Sequence, residues 1–199
     1  MPMTPDEQRD TDEVYEISEK AFVDGIELLN LIEVMQGQNK DRINAKLSAA
    51  GAAGAAMVVR NGLLSRIVLF LAGAYAASRP RDLHLRRAFD LLEQPAVRAE
   101  LGLRGSATLL DDATRLWARC KGDHRLLPIK HFRDKFTAHM STPNDDIGLP
   151  SYDDVFGFAQ DTMQVIEALA RGTGARCEPL SDWQPAAEQA AGRFWSVWI

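Results

Sequence analysis

Apolar residues return along most of this chain at steps of three, four and seven, the spacing of one helical face. In the first segment Val14, Ile17, Ala21, Leu28, Ile32 and Met35 fall on a single stripe, and a turn around Gly37 ends it. The pattern then predicts one long helix from about Arg42 to Ala77. Its first half, Ala49-Ala-Gly-Ala-Ala-Gly-Ala-Ala-Met57, is built of small residues that let a neighbouring backbone come close. We read it as a tight helix–helix contact; a flexible Ala/Gly linker is the competing reading, because glycine lowers helix propensity.

Pro80 stops that helix, and a short basic helix follows from Asp82 to Leu92, ended by Pro95. Another begins near Ser106 and turns Leu109, Ala113, Leu116, Trp117 and Cys120 inward. Pro128 opens a helix through about Met140, which Pro143 and Asn144-Asp-Asp break. Ser151 with Asp154 three residues on reads as a capping box. The helix behind it buries Val155, Phe158, Ala159, Thr162, Ile166 and Leu169. Gly172-Thr-Gly-Ala is a loop, and from about Pro185 the tail places Ala187, Ala190, Ala191, Phe194 and Trp198 at helical spacing. No alternating stretch of strand length competes. The expected fold is all-α, an up-and-down bundle of four to five main helices with a short extra helix and a C-terminal appendage. The division is residues 1–172 for the bundle and 173–199 for a tryptophan-rich extension that packs on the bundle or on a partner.

Composition narrows the function classes. Hydrophobic residues make up 46% of the 199, enough for a sizeable core. The net charge of −5 means that any nucleic-acid contact must come from a local patch. Cys120 and Cys177 repeat no metal-ligand spacing and read as idle thiols of a reducing cytosol. The acidic N-terminus is not that of a secretory signal, and the apolar run Ile67 to Ala77 is too short to cross a bilayer. A cytoplasmic chain with no membrane partner is expected.

The charge is segregated. Asp6 to Glu19 holds seven acids and one base, a net −6; Arg115 to Lys135 holds seven bases and two acids, a net +5. Arg79, Arg81, Arg86 and Arg87 with Asp82 add a smaller basic cluster. A basic region in an acidic protein can hold a phosphate backbone; the commoner reading is a solvated helix face paired with acids elsewhere.

The stretch with the most chemistry is His131-Phe-Arg-Asp-Lys-Phe-Thr-Ala-His-Met140. At about 100° per residue, Ile129, Phe132, Phe136 and Met140 define a buried stripe, and Arg133 and His139 flank it on either side by roughly 60°. The two are about 9 Å apart along the axis, so one chain brings them to a shared phosphate awkwardly. Two such helices meeting across a two-fold axis solve that geometry. The residue types suit RNA cleavage: a histidine exchanges protons near neutral pH, an arginine stabilises phosphoryl charge, and RNA supplies its own 2′-hydroxyl nucleophile. His84, His124, His131 and His139 form no two-histidine-plus-carboxylate spacing, so no metal or other cofactor is expected.

Arg133-Asp-Lys-Phe-Thr-Ala-His139 resembles the signature of the HEPN superfamily, an arginine, a polar residue, a few more residues and a histidine. The run looks most like the AbiU-type abortive-infection branch, and Arg60-Asn-Gly-Leu-Leu-Ser-Arg-Ile-Val-Leu-Phe-Leu-Ala resembles the long core helix of that branch. The resemblance covers most of residues 10 to 170; the tail with Trp183, Trp195 and Trp198 lies outside it. It implies a helical bundle, a homodimer with facing motif helices, and metal-independent endoribonuclease cleavage in phage defence or a toxin–antitoxin pair. By position it implies Arg133 as the phosphate-binding arginine, Asp134 as the orienting polar residue and His139 as the acid/base. Lys130, His131 and Lys135 are the expected RNA-contacting neighbours. His131 and Lys135 project away from the stripe and are expected to be solvated. Arg60, Asn61 and Arg66 interrupt an apolar helix; they pair with acids or line the same cleft as Arg133, and Arg60 is counted with the substrate-binding group. The alternative function is a non-catalytic helical dimer that binds a partner protein, an antitoxin for example, or RNA.

Overall fold

A computed structural model describes residues 3–38, 40–77, 83–138 and 146–197. Its longest element, α1 (Pro5–Gln38), is 34 residues and so about 51 Å in length. All six residues of the stripe read from the sequence are buried on it. Around α1 pack α3 (Ala53–Ala74), α4 (Leu85–Leu92), α5 (Pro95–Arg104), α8 (Tyr152–Gly172) and α9 (Gln184–Ser196). The remaining helices are α2 (Asp41–Ala49), α6 (Ala107–Lys121) and α7 (Leu126–Phe132), the last continued by a π-helical turn, Arg133–Ala138. No strand occurs among the described residues. The fold is the expected all-α bundle.

The most extensive helix pair is α6 against α8, and a glycine crossing sets it. Gly105 precedes α6, and Ser106 donates its backbone N–H to the carbonyl of Gly172 at 2.9 Å. A Cβ on Gly105 would meet that same carbonyl oxygen at 2.3 Å. The start of α6 is thus fixed on the end of α8, while Arg119 near the end of α6 reaches Asp161, so the two run antiparallel. Ser106 caps α6 by accepting from Leu109, and Ser151 with Asp154 forms the predicted capping box of α8.

An aromatic stack joins three helices at the centre. The Trp117 ring lies between Tyr75 at 4.8 Å and Phe89 at 4.6 Å, both near parallel. The Tyr75 hydroxyl pairs with Thr162 Oγ1 on α8 at 3.1 Å. Burial pushes the Tyr75 phenol well above its ordinary range. Tyr75 matters further because its carbonyl anchors the motif helix, as described below.

Three expectations are corrected. The long second helix is two helices, broken at Ala50-Gly51-Ala52, where Gly51 adopts φ +67°, a conformation that glycine takes without strain. The Ala/Gly stretch makes contact on one side only: Ala56 is buried in a small cluster with Ile43, Leu47 and Trp195, but Ala53 and Gly54 are exposed, and a Cβ on Gly51 or Gly54 would meet nothing within 4 Å. Pro95 does not end a helix but starts one, at the first turn of α5, where a missing N–H costs nothing. α5 shows no stripe in the sequence, because only Val97 and Leu101 are buried on it.

α3 is long and apolar enough by composition to cross a membrane. In the fold its second half is core, through Ile67, Val68, Leu71 and Ala72, while Met57, Val58 and Val59 stand exposed. The tail helix α9 packs on α1: Trp195 is buried and donates Nε1–H to the Val34 carbonyl at 2.7 Å.

Candidate functional site

The motif helix is held at its start by an ion-paired knot. Asp123 accepts from the Arg125 backbone N–H at 2.8 Å, from Nε at 2.9 Å and from Nη2 at 2.7 Å. Arg125 also pairs with Asp161 of α8, which takes Arg119 as well. The hydrogen bonds from Arg125 hold the Asp123 carboxyl down at about 2, against an ordinary 3.8. Leu126, the first residue of α7, follows directly, so this knot fixes where α7 begins.

Four of the seven basic residues of the +5 segment are therefore spent on acids: Arg115 on Asp112, Arg119 and Arg125 on Asp161, and Arg133 on Asp134. The segment is not one free basic patch. Lys130 lies within electrostatic range of Arg133 and of Arg86 of α4, each of which carries an acid of its own, Asp134 and Asp90. Lys130 donates Nζ–H to the Tyr75 carbonyl at 3.1 Å. Burial lowers its ammonium below the usual lysine range, and the charges of Arg133 and Arg86 lower it further against the pull of Asp134. Arg86, whose own acid Asp90 is 3.8 Å away, is a member of this group that the motif alone did not single out. The signal for it was the small basic cluster before Leu92.

At Arg133 the α-helix widens into a π-turn, a feature found disproportionately at functional sites. The wider turn invalidates a 100° projection beyond Arg133. Phe136, expected in the buried stripe, is 44% exposed, stacked on half-buried Phe132 at 5.4 Å. Arg133 lies in this turn with its side chain 25% exposed and bound to the Asp134 carboxylate. Lys135 is half-buried in the same turn. His139 lies outside the described residues.

His131 is buried, not solvated, and its Nε2 has no hydrogen-bond partner among the described residues. Ile129 and His131, about 200° apart on the helix, are both buried, so α7 is covered on more than one side. Arg60 is elsewhere. It lines a separate cavity with Gln38, Asn44, Tyr152 and Asp153. Arg66 pairs with Glu27 at 2.9 Å, as the pairing reading expects, and Asn61 is exposed.

A family model described as AbiU2, of the HEPN type, matches residues 11–194. The chain belongs to the HEPN AbiU2 family. The match takes in every helix from α1 to α9, so it reaches through Trp183 into the tail that the resemblance did not cover. It sets the chain among proteins of abortive-infection type. No curated protein and no solved structure matches it. For this AbiU2-family chain, Arg133 and Arg86 are cations within electrostatic range of Lys130 near the motif, with Asp134 and Asp90 as the acids beside them.

Proposed function

We propose that this AbiU2-family chain is a metal-independent endoribonuclease acting in the cytoplasm, in phage defence or as the toxin of a toxin–antitoxin pair. The observation that carries the reading is the cationic group of Arg86, Lys130 and Arg133 at the π-turn that leads to His139. Three cations against two carboxylates, Asp134 and Asp90, leave a net positive charge for a phosphodiester, which is singly charged.

The reaction follows from the residue types. The 2′-oxygen of one nucleotide attacks the adjacent phosphorus and loses its proton to a base. The P–O5′ bond breaks, and an acid returns a proton to the 5′-oxygen. The products are a 2′,3′-cyclic phosphate and a 5′-hydroxyl. His139 is the residue for proton transfer, Arg133 for the charge on the pentacoordinate phosphorus, and Asp134 for orienting Arg133. Lys130, Lys135 and Arg86 hold flanking phosphates.

The active unit is a homodimer through the motif helix, in which the arginines and histidines of both chains share one cleft. Exposed apolar side chains support this. Leu127 and Phe136 stand out on the motif helix at 60% and 44%, and α3, which packs against it, exposes Val58 at 72%.

One observation favours a second reading, a dimer that binds RNA or a partner protein without cutting. Arg133 is already engaged by Asp134, and a structural ion pair has no need of catalysis. Expression of wild type, Arg133→Ala and His139→Ala separates the two. The nuclease reading expects RNA decay and growth arrest from wild type alone; equal RNA decay in all three removes it.

A further inference from the structure

A cavity of about 290 Å³ opens where the end of α1, α2, the first half of α3 and the first turn of α8 meet. It is at the lower edge of the ~300–1,000 Å³ typical of small-molecule sites. Two atoms of residues in its wall are buried with no hydrogen bond among the described residues: Gln38 Oε1, an acceptor on a residue that is 5% exposed, and Arg60 Nε, a donor. Buried polar atoms are nearly always paired, and an unpaired one carries a desolvation penalty. Both atoms are out of reach from the cavity as the side chains stand, and a turn of the Gln38 carboxamide and the Arg60 guanidinium toward it would pair both with a ligand edge that carries a donor beside an acceptor.

The rest of the wall narrows the ligand. Tyr152 and Phe156 stack with centroids 6.1 Å apart, and the Tyr152 ring is 45% exposed, a surface for another flat ring. Asn44 adds a second carboxamide, the group whose paired donor and acceptor match base edges. The charges balance, Arg60 against Asp153, so the wall suits a neutral ring better than a phosphate or carboxylate. Tyr152 also lines a narrow cleft with Phe132, the residue before Arg133. The cavity is thus one aromatic side chain away from the motif turn.

We infer that this cavity receives an unpaired nucleobase, stacked on Tyr152 and held at its edge by Gln38, Asn44 and Arg60. Its source is the RNA strand engaged at Arg133, which rests on the function proposed above, or a free nucleotide of the same chemistry.

The test is binding, measured apart from cleavage. The full-length His139→Ala protein is titrated with AMP, GMP, CMP and UMP by calorimetry, and with a short single-stranded RNA by fluorescence anisotropy. The titrations are repeated with Gln38→Leu, Arg60→Met and Tyr152→Ala added singly. At least one of these probes is expected to bind, and each substitution to weaken it about tenfold or more, as loss of a stacking or edge contact does. Binding of mononucleotides that compete with the RNA assigns the pocket to either source; binding of RNA alone assigns it to the strand. Should Gln38→Leu or Arg60→Met lower the melting temperature, the exposed Tyr152→Ala decides. No binding of any probe, or binding indifferent to the substitutions that fold, overturns the inference. Cleavage by wild type without such binding removes only the pocket; nucleotide binding without cleavage removes only the nuclease.

Discussion

Arg133 holds one oxygen of its neighbour Asp134 between two of its own nitrogens, Nε at 2.7 Å and Nη2 at 2.6 Å. The guanidinium is thereby fixed in the π-turn while part of it stays open to solvent. A phosphate approaching from outside meets an oriented fork rather than a free side chain. Arg133→Ala is expected to lower RNA cleavage by about 10²–10³, the usual cost of removing one group that stabilises transition-state charge. Arg133→Lys does not restore it, because an ammonium lacks the fork geometry. Asp134→Ala leaves the cation in place but unoriented, and the loss is expected to be smaller. Initial rates on one RNA substrate rank the three.

The glycine crossing between the α5–α6 junction and the end of α8 makes a sharp stability prediction. A Cβ at Gly105 meets the Gly172 oxygen and the Gly174 nitrogen at 2.3 and 2.4 Å, both backbone atoms that cannot swing aside. Gly105→Ala is expected to cost about 2–4 kcal/mol in chemical denaturation. Gly54→Ala, with open space around it, is expected to leave stability unchanged or slightly raised.

The Asp123–Arg125 knot predicts an acid limb. Asp123 has its carboxyl at about 2 in the folded chain, against an ordinary 3.8 when unfolded. Between those values the unfolded chain binds the proton more readily. The stabilisation from this pair is therefore complete above pH about 3.8 and is lost as the pH falls toward about 2. Asp123→Asn is expected to be less stable at pH 7 and to show a shallower loss between pH 4 and 2. Urea midpoints across that range check both parts.

Trp195 fastens α9 to α1. It is 3% exposed, bonds the Val34 carbonyl, and lies over Gly37, where a Cβ would meet its ring at 2.8 Å. Trp195→Ala is expected to destabilise this attachment by about 3–5 kcal/mol. Limited proteolysis is expected to release the tail before the bundle is cut.

The long helices were readable because each buries one face. α1, α6 and α8 carry stripes at helical spacing, and the serines at 106 and 151 mark their starts. Detail failed where the backbone leaves the ideal α-helix or where burial does not follow one face. Gly51 bends what composition reads as continuous. α5 buries two side chains and shows no period. The π-turn rotates Phe136 outward, which no 100° wheel can anticipate. Of the motif, Arg133 pairs with Asp134, and Lys130 lies within their electrostatic range. The burial of His131 and the membership of Arg86 depend on which helices surround α7, and one helix's own pattern does not contain that. Arg60 lines a cavity of its own, and the Tyr152 of its wall also borders the cleft that Phe132, the residue before Arg133, lines.

Cleavage of a single-stranded RNA, compared with the same strand carrying one 2′-deoxynucleotide, tests the central claim most directly. The purified chain is incubated with each in excess chelator, and the ends formed are identified. Cleavage of the RNA to 2′,3′-cyclic phosphate and 5′-hydroxyl ends, absent at the 2′-deoxy position and abolished in His139→Ala, is the predicted result. Cleavage at the 2′-deoxy position, or cleavage unchanged in His139→Ala, would contradict it.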